Sequence, residues 1–211
     1  MTKNILAVSA HFDDAELGCG ATLAKHARAG DRVWLYVATR SDYADMDGKT
    51  VRGAEVARKE GAAAAKALGA KLILGPFDTF GLRYDDELIA AIRRMVEEKK
   101  IDTLYLPFTG DAHQDHRALA RAAITAGRHC ARILMYRINF YDTEEAFTPR
   151  HFVDTSAAMA AKMRALRCHA SEMKRTGGKW LKVVESQDAA AGIKLGVKFA
   201  ESFQAVRYLE P

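Results

Sequence analysis

The chain lacks the features that mark several special classes of protein. Among its 211 residues are three cysteines, Cys19, Cys130 and Cys168, an odd number without Cys-x-x-Cys spacing. This argues for reduced thiols and against a disulfide framework or a cysteine-rich zinc site. No apolar run approaches the roughly 20 residues that a membrane-spanning helix needs, and no signal-peptide-like region precedes the first predicted strand. We therefore expect one cytoplasmic globular domain over residues 1–211.

Charge is unevenly distributed along this chain. The formal net charge is +5, and counting along the sequence places the whole excess after residue 149, in a basic segment at about 150–211. A solvated basic face is one interpretation, and an anionic substrate is the other. Nucleic acid is the weakest candidate partner, because no basic motif with interleaved aromatic residues is present.

Strand-like and helix-like patterns alternate along the chain. Apolar, β-forming runs predict strands at 5–8, 32–38, 71–74, 103–107 and 133–136. Amphipathic or alanine-rich segments predict helices from about 22 to 30, at 52–68, at 84–99 and up to 128. This alternation indicates an α/β fold, a Rossmann-like doubly wound and mostly parallel sheet of order 3-2-1-4-5.

The remaining segments are less regular. Residues 39–49 are polar and predict a surface loop. Asp154 is expected to cap a helix that contains Met159, Met163 and Leu166, and residues 197–208 to hold a last short strand. Residues 176–196 have no clear pattern.

An imidazole and two carboxylates follow the first predicted strand in the sequence His11-Phe12-Asp13-Asp14. Aspartate at a helix start is ordinarily a cap, and each of these residues alone could serve that purpose. Three ionisable groups at one strand-to-helix turn are costly, however, unless something offsets their repulsion and desolvation. A divalent cation bound by His11 and Asp14, with Asp13 left as a base, is the simplest interpretation.

A second cluster, His113-Gln-Asp115-His116, follows the fourth predicted strand. Strands 1 and 4 are neighbours in the predicted order and flank the switch point where ligands bind. We therefore expect the two clusters to meet in one crevice. A histidine from each cluster together with Asp14 would form a catalytic zinc site with an open position. His113, held by Asp115, could donate a proton or stabilise an oxyanion.

Both clusters also resemble a known family. His11-Phe-Asp13-Asp14-Ala-Glu16 is similar to the His-Pro-Asp-Asp-x-Glu signature of the PIG-L/LmbE-like zinc de-N-acetylases, and His113-Gln-Asp115-His116 to their His-x-Asp-His. Weaker likeness continues at Arg52 and the alanine-rich helix. The resemblance implies a Rossmann-like fold and hydrolysis of an N-acetyl group on an N-acetylglucosamine-type amino sugar, which gives a free amine and acetate.

The resemblance also implies a role for individual residues. The implied zinc ligands are His11, Asp14 and His116. Asp13 would be the base, His113 the acid or oxyanion partner oriented by Asp115, and Arg52 would lie near the substrate. The chain departs from the pattern in three places: Phe12 replaces a proline, Ser41-Asp42 replaces Gly-Glu, and Glu172 replaces a glutamine.

Further substrate contacts are expected in two loops. Asp42 lies in the polar 39–49 segment, and Lys174 and Arg175 lie beside Gly177-Gly178, which together could close as a lid on a phosphate or carboxylate. Two alternatives stay open: a metal-dependent hydrolase of another amide, ester or phosphate, and a non-catalytic sugar- or nucleotide-binding Rossmann module. A homo-oligomer is also possible.

Overall fold

The computed structural model describes residues 2–138 and 140–210. Nine strands are present in this part of the chain: β1 Asn4–Ser9, β2 Arg32–Thr39, β3 Tyr43–Ala44, β4 Thr50–Arg52, β5 Lys71–Phe77, β6 Thr103–Pro107, β7 Arg132–Tyr136, β8 His151–Asp154 and β9 Ala200–Tyr208. Its helices are α1 Asp14–Arg28, α2 Ala54–Leu68, α3 Asp86–Glu98, α4 Gln114–Ala126, α5 Met159–Cys168, α6 Ala170–Thr176 and α7 Lys179–Ile193.

Seven of the strands form one sheet in the order β5-β2-β1-β6-β7-β9-β8. The first five are parallel, in the order that the sequence predicts, and the mostly parallel α/β fold is confirmed. The last predicted strand, at 197–208, is confirmed as β9, but the sequence predicted neither β8 nor the antiparallel pairing that adds β9 and then β8 beyond β7. The central strand β1 is buried from Ile5 to Ser9, as expected for a strand covered by helices on both faces.

Two apolar clusters fill the two faces of the sheet. One contains side chains of α1, α2 and α5, and the other contains side chains of α3 and α4. Within residues 2–138 and 140–210, no helix is long and apolar enough to cross a membrane.

Some local predictions were wrong. Asp154 ends β8 and accepts a hydrogen bond from the Ser156 amide, whereas α5 begins at Met159. The unassigned 176–196 segment is mostly helix α7. The segment 39–49, predicted as a surface loop, contains strand β3, which pairs with β4 in a short antiparallel hairpin. Tertiary packing determines these elements more than local propensity does, which explains why single-sequence patterns missed them.

A buried ion-pair cluster ties the C-terminal elements to α1. Lys162 Nζ on α5 donates to Asp188 on α7 at 2.8 Å and to Glu201 on β9 at 2.7 Å. Glu201 also accepts hydrogen bonds from the backbone amides of Ala21 and Thr22. These amides lie just after Cys19, where the backbone of α1 departs from helical geometry, so Glu201 stabilises the irregular half of the helix that begins at the site.

Candidate active site

The two predicted clusters meet at the carboxyl ends of β1 and β6. His11 follows β1, His116 lies in the first turn of α4 after β6, and the two strands are hydrogen-bonded neighbours. The distance from His116 Nε2 to His11 Nδ1 is 3.3 Å. The fold therefore brings together side chains that are 105 residues apart in the sequence.

Three of the side chains present closely spaced metal-type donor atoms. His116 Nε2 lies 3.2 Å from Asp14 Oδ1, and His11 Nδ1 lies 3.8 Å from Asp14 Oδ2. Tetrahedral zinc with bonds of 2.0–2.1 Å spaces its ligand atoms about 3.3 Å apart, so this donor set fits the ion. A second candidate set, in which ring nitrogens of His11, His113 and His116 all lie within 4.8 Å of one another, is looser.

In both His11 and His116, a carboxylate lies beside the ring nitrogen that does not belong to the donor set. His11 Nε2 lies 2.9 Å from Asp115 Oδ2, and His116 Nδ1 lies 3.0 Å from Asp111 Oδ1. Such partners fix the tautomer and direct the other nitrogen of each ring towards the metal position. The sequence analysis did not single out Asp111, although it lies in the same strand-end loop as the second cluster.

The predicted partner of Asp115 was wrong. We expected its carboxylate to orient His113, but it contacts His11 and accepts the backbone amides of Phe80 at 2.7 Å and Leu82 at 3.2 Å. Only the backbone amide of Asp115 reaches His113, because that histidine is the N-cap residue of α4. The cap geometry could not be distinguished from a side-chain contact by spacing alone.

His113 is held in one tautomer at the wall of the pocket. Its Nδ1 accepts the Asp115 amide at 3.1 Å, so its proton is on Nε2. Burial, with the neighbouring His11 and His116, lowers the pKa of His113 to about 4. The ring stacks between Phe80 and His116, with centroid distances of 5.5 and 4.6 Å. At neutral pH this residue is therefore an uncharged hydrogen-bond donor.

Asp13 is not the ordinary helix cap that the sequence left open. It precedes α1 with φ 98°, and its side chain makes no capping hydrogen bond. Burial raises the pKa of Asp13 to about 8, and the charge of Asp14 adds to the effect, while His169 and Arg52 oppose it. Burial would also raise the pKa of Asp14, but the adjacent His116 outweighs it and keeps that carboxyl ionised. The two aspartates thus have different protonation behaviour.

Arg52 lies in a buried network next to Asp13. Its Nη1 is 3.8 Å from Asp13 Oδ2, and its Nη2 lies 3.2 Å from both Glu60 Oε2 and His169 Nδ1. His169 in turn contacts Glu16 at 3.3 Å. The sequence predicted Arg52 near the substrate but not these partners, which come from α1, α2 and the α5–α6 junction.

The loop that carries the first cluster is anchored by an aromatic ring. Phe12 is buried, and its ring occupies the space that a side chain at Gly61 of α2 would need. The amide of Phe12 also donates to Ser41 Oγ at 2.9 Å. Packing of Phe12 against α2 therefore positions this loop. In the family pattern a proline at the same position would restrict the loop through its fixed φ.

A cavity of about 340 Å³ opens above these groups. Aromatic side chains line it and form its rim: Tyr43, Phe80, Phe140, Tyr141 and Trp180. Of the predicted substrate contacts, Arg52 and Arg175 line the cavity. Lys174 and Asp42 do not; Lys174 is exposed to solvent, and Asp42 accepts a hydrogen bond from Thr79. The expected pair of lid cations is therefore reduced to Arg175.

Arg175 is already bound to the protein. Its Nη2 lies 2.6 Å from Glu172 Oε2, and its guanidinium carbon lies 5.3 Å from the centre of the Trp180 ring. Glu172 also accepts the Tyr43 hydroxyl at 2.7 Å. These contacts hold one partly exposed cation against the aromatic wall of the cavity.

The fold and site together define a doubly wound α/β protein with a His/Asp metal-type centre at the switch point of its sheet. The PIG-L family, GlcNAc-PI de-N-acetylase, matches residues 6–127, more than half of the chain. The uncharacterized deacetylase YaiS of Escherichia coli K12 is 32% identical over 183 residues, covering 80% of this chain and 91% of YaiS. This chain belongs to the PIG-L family.

Two other comparisons show how varied proteins of this fold are. The diacetylchitobiose deacetylase of Thermococcus kodakarensis is 28% identical over 193 residues, covering 81% of this chain and 70% of that enzyme. GalB, the 4-carboxy-2-hydroxymuconate hydratase of Pseudomonas putida KT2440, superposes with a TM-score of 0.81 at 19% identity, covering 100% and 99% of the two chains. Since a hydratase shares the fold, the reaction has to be inferred from the site.

Proposed function

We propose that this protein is a zinc-dependent deacetylase, which hydrolyses the acetamido group of an N-acetylglucosamine-type sugar to a free amine and acetate. The observation that carries the proposal is the compact donor set of His11, Asp14 and His116 beside Asp13, a buried carboxylate that is free of helix capping. Family membership and the deacetylase names of its relatives support the same reaction.

The donor chemistry supports a zinc site. Two imidazoles and one carboxylate with an open position are a recognised catalytic set, and both imidazoles have carboxylates on their outer nitrogens. A bound zinc ion would polarise the acetamido carbonyl and lower the pKa of its water. Other divalent metals are compatible with the same ligands.

The chain's own residues supply the proton transfers in this proposal. Water adds to the carbonyl carbon as Asp13 takes its proton, and the C–N bond then breaks as Asp13 returns that proton to the departing nitrogen. A carboxyl whose pKa lies near neutrality can do both. Arg52, 3.8 Å from Asp13, stabilises the carboxylate form between the two steps.

His113 is proposed to act as a hydrogen-bond donor to the oxygen that becomes negative. Its Nε2 proton is fixed by the hydrogen bond at Nδ1, and its low pKa makes it a poor proton carrier at neutral pH. Donors aimed at a developing oxyanion typically contribute about 10²–10³-fold in kcat. The sequence left acid and oxyanion roles open, and the geometry favours the second.

The cavity favours a sugar-sized substrate. Aromatic rings such as Tyr43 and Trp180 provide apolar faces for the C–H groups of a sugar ring, beside the polar floor made by Arg52 and the two clusters. Arg175, on the aromatic wall, is proposed to contact an anionic group when the substrate carries one.

A substrate panel tests the proposal. The metal-loaded protein should release acetate from N-acetylhexosaminides, with phosphate- or nucleotide-linked sugars binding more tightly at low salt through Arg175. Matched O-acetyl and phosphate-ester substrates separate a deacetylase from another metal-dependent hydrolase. Turnover of esters or phosphates without any acetamido cleavage would contradict the proposed reaction.

A further inference from the structure

A second cavity, of about 270 Å³, lies at the other end of the sheet. It is lined by residues that precede or begin parallel strands, including Lys3, Thr103 and Arg132, whereas His11 and His113 follow the carboxyl ends of theirs. The length of the strands separates this cavity from the candidate active site. None of the residues that the structure describes lines both cavities.

The lining combines cations with an apolar wall. Three of the described residues that line this cavity are cationic: Lys3, Lys25 and Arg132. Lys25 Nζ also donates to the Asp154 carbonyl at 2.9 Å. Its wall contains four larger apolar or aromatic side chains: Tyr105, Leu134, Val153 and Tyr208. Asp31 is the carboxylate among the lining residues, and it already accepts His26 Nδ1 at 2.7 Å and the Lys3 amide at 2.8 Å. The balance of fixed charge on the lining is therefore positive.

Arg132 lines this cavity and is itself largely buried. Its residue is only 6% exposed, and its guanidinium lies 5.6 Å from the centre of the Tyr208 ring. Nη1 reaches Asp102, behind the cavity, at 3.5 Å, but Nε has no hydrogen-bond partner among the described residues. Nε is not accessible to water, so a ligand in the cavity would meet the rest of the guanidinium rather than this atom.

Thr22 provides a second unpartnered polar atom. It is 1% exposed, lines the same cavity, and its Oγ1 has no hydrogen-bond partner in the described part of the chain. Nearby, the Tyr105 hydroxyl lies 3.2 Å from His26 Nε2 and is fixed by the His26–Asp31 pair. The lining thus combines Arg132 and Thr22 with a phenol whose position is fixed.

We propose that this cavity binds a small organic carboxylate, with the carboxylate on Arg132 and Lys25 and a planar or branched apolar body against Tyr105, Leu134 and Tyr208. Guanidinium and ammonium groups both donate charge-assisted hydrogen bonds to a carboxylate. The inference does not depend on the proposed reaction, because it uses none of the residues of the candidate active site.

The test is a titration of the metal-loaded protein with benzoate, and with benzamide as its uncharged counterpart, followed by calorimetry. We expect saturable benzoate binding with a Kd of about 1 mM or tighter and at least about tenfold weaker benzamide binding. Lys25→Ala should weaken benzoate binding by about twofold to fivefold. Lys66→Ala, which removes an exposed lysine from the last turn of α2, is the matched control and should leave it unchanged.

Two further variants make the result decisive. Arg132→Met should abolish the binding, and Lys25→Ala serves in its place if loss of the Asp102 contact prevents folding. His116→Ala should retain binding, which separates this cavity from the metal-type centre. Equal affinity for benzoate and benzamide, no saturation at 10-fold above the expected Kd, or loss of binding in His116→Ala alone would overturn the proposal.

Discussion

Asp13 occupies a left-handed backbone conformation at the start of α1, and its carboxylate makes no hydrogen bond with the helix it precedes. Its neighbour Asp14 faces His116 and the backbone amide of His11 instead. Adjacent residues of the same type therefore point into different environments. The backbone turn, more than residue identity, separates a candidate base from a candidate ligand.

The role of Asp13 can be tested by Asp13→Asn. If the carboxylate is the base, kcat should fall by about 10²–10⁴-fold because the variant cannot accept a proton. Zinc content should be retained, since Asp13 is not one of the closely spaced donors. Steady-state kinetics together with elemental analysis measure both quantities. Loss of zinc along with activity would mean that Asp13 and Asp14 have been assigned the wrong way round.

His113→Ala distinguishes the two candidate ligand sets. With His11, Asp14 and His116 as ligands, the variant should keep its zinc and lose about 10²–10³-fold in kcat through the missing oxyanion donor. If the three histidines are the ligands, it should lose the metal. Zinc occupancy by elemental analysis decides the matter, with His116→Ala as the control that must lose zinc in either case.

Zinc binding should release protons. Burial lowers the pKa of His116, but Asp14 and Asp111 outweigh it and raise the pKa to about 10 in the metal-free protein. The ring is therefore protonated at pH 7 and has to lose that proton to bind zinc. Affinity should rise about tenfold per pH unit for each proton released, from pH 6 towards 9. Calorimetry in buffers of different ionisation enthalpy measures the proton count, and a count of zero at pH 7 would contradict this account of His116.

At the scale of elements, α1 is held at both of its halves. Its first turn carries the Asp14 donor, and its irregular middle is bound by Glu201 from β9. Lys162 from α5 balances the charge of that carboxylate in a fully buried position. These C-terminal elements therefore support the site through α1.

Lys162→Met tests this support. Removing the cation leaves Glu201 and Asp188 without their buried partner, which typically destabilises a protein by about 3–5 kcal/mol. Lys66→Met, on the exposed face of α2, should change the free energy of unfolding by less than about 0.5 kcal/mol. Denaturant unfolding of both variants measures the difference. Equal stability of the two would show that the buried cluster does not stabilise the fold.

The sequence predicted the central elements better than the peripheral ones. Strands such as β1 and β6 have continuous apolar runs, and the two clusters follow strands that the parallel order makes neighbours. By contrast, β8 and β9 form an antiparallel extension whose pairing depends on long-range contacts. Asp154 was misinterpreted for that reason, since its local sequence fits a helix cap as well as a strand end.

The same distinction explains which site residues could be found. His11 and Asp14 belong to one short sequence motif and His116 belongs to another. The spacing within each motif was enough to identify them. Glu60 and His169 meet Arg52 only in the folded chain, and no spacing in the sequence predicts that either contacts it. The side-chain partner of Asp115 depends on which face of the α4 N-terminus points at His11, which spacing alone does not determine.

At the scale of the whole molecule, two of the cavities formed by the described residues lie at opposite ends of one sheet. The carboxyl end holds the metal-type centre under an aromatic rim, and the amino end holds the basic cavity with Arg132. The basic C-terminal segment contributes only Arg175 of its cations to the lining of the first cavity. Most of its excess charge is therefore outside the candidate active site.

Removal and return of the metal test the central claim most directly, with acetate release from an N-acetylglucosamine-type sugar followed by NMR. The account predicts one acetate per free amine from the zinc-loaded protein, loss of the signal after chelation, and recovery when about one equivalent of zinc per chain is added back. Full activity in the chelated protein, or no acetate from any acetamido sugar with the metal bound, would contradict it.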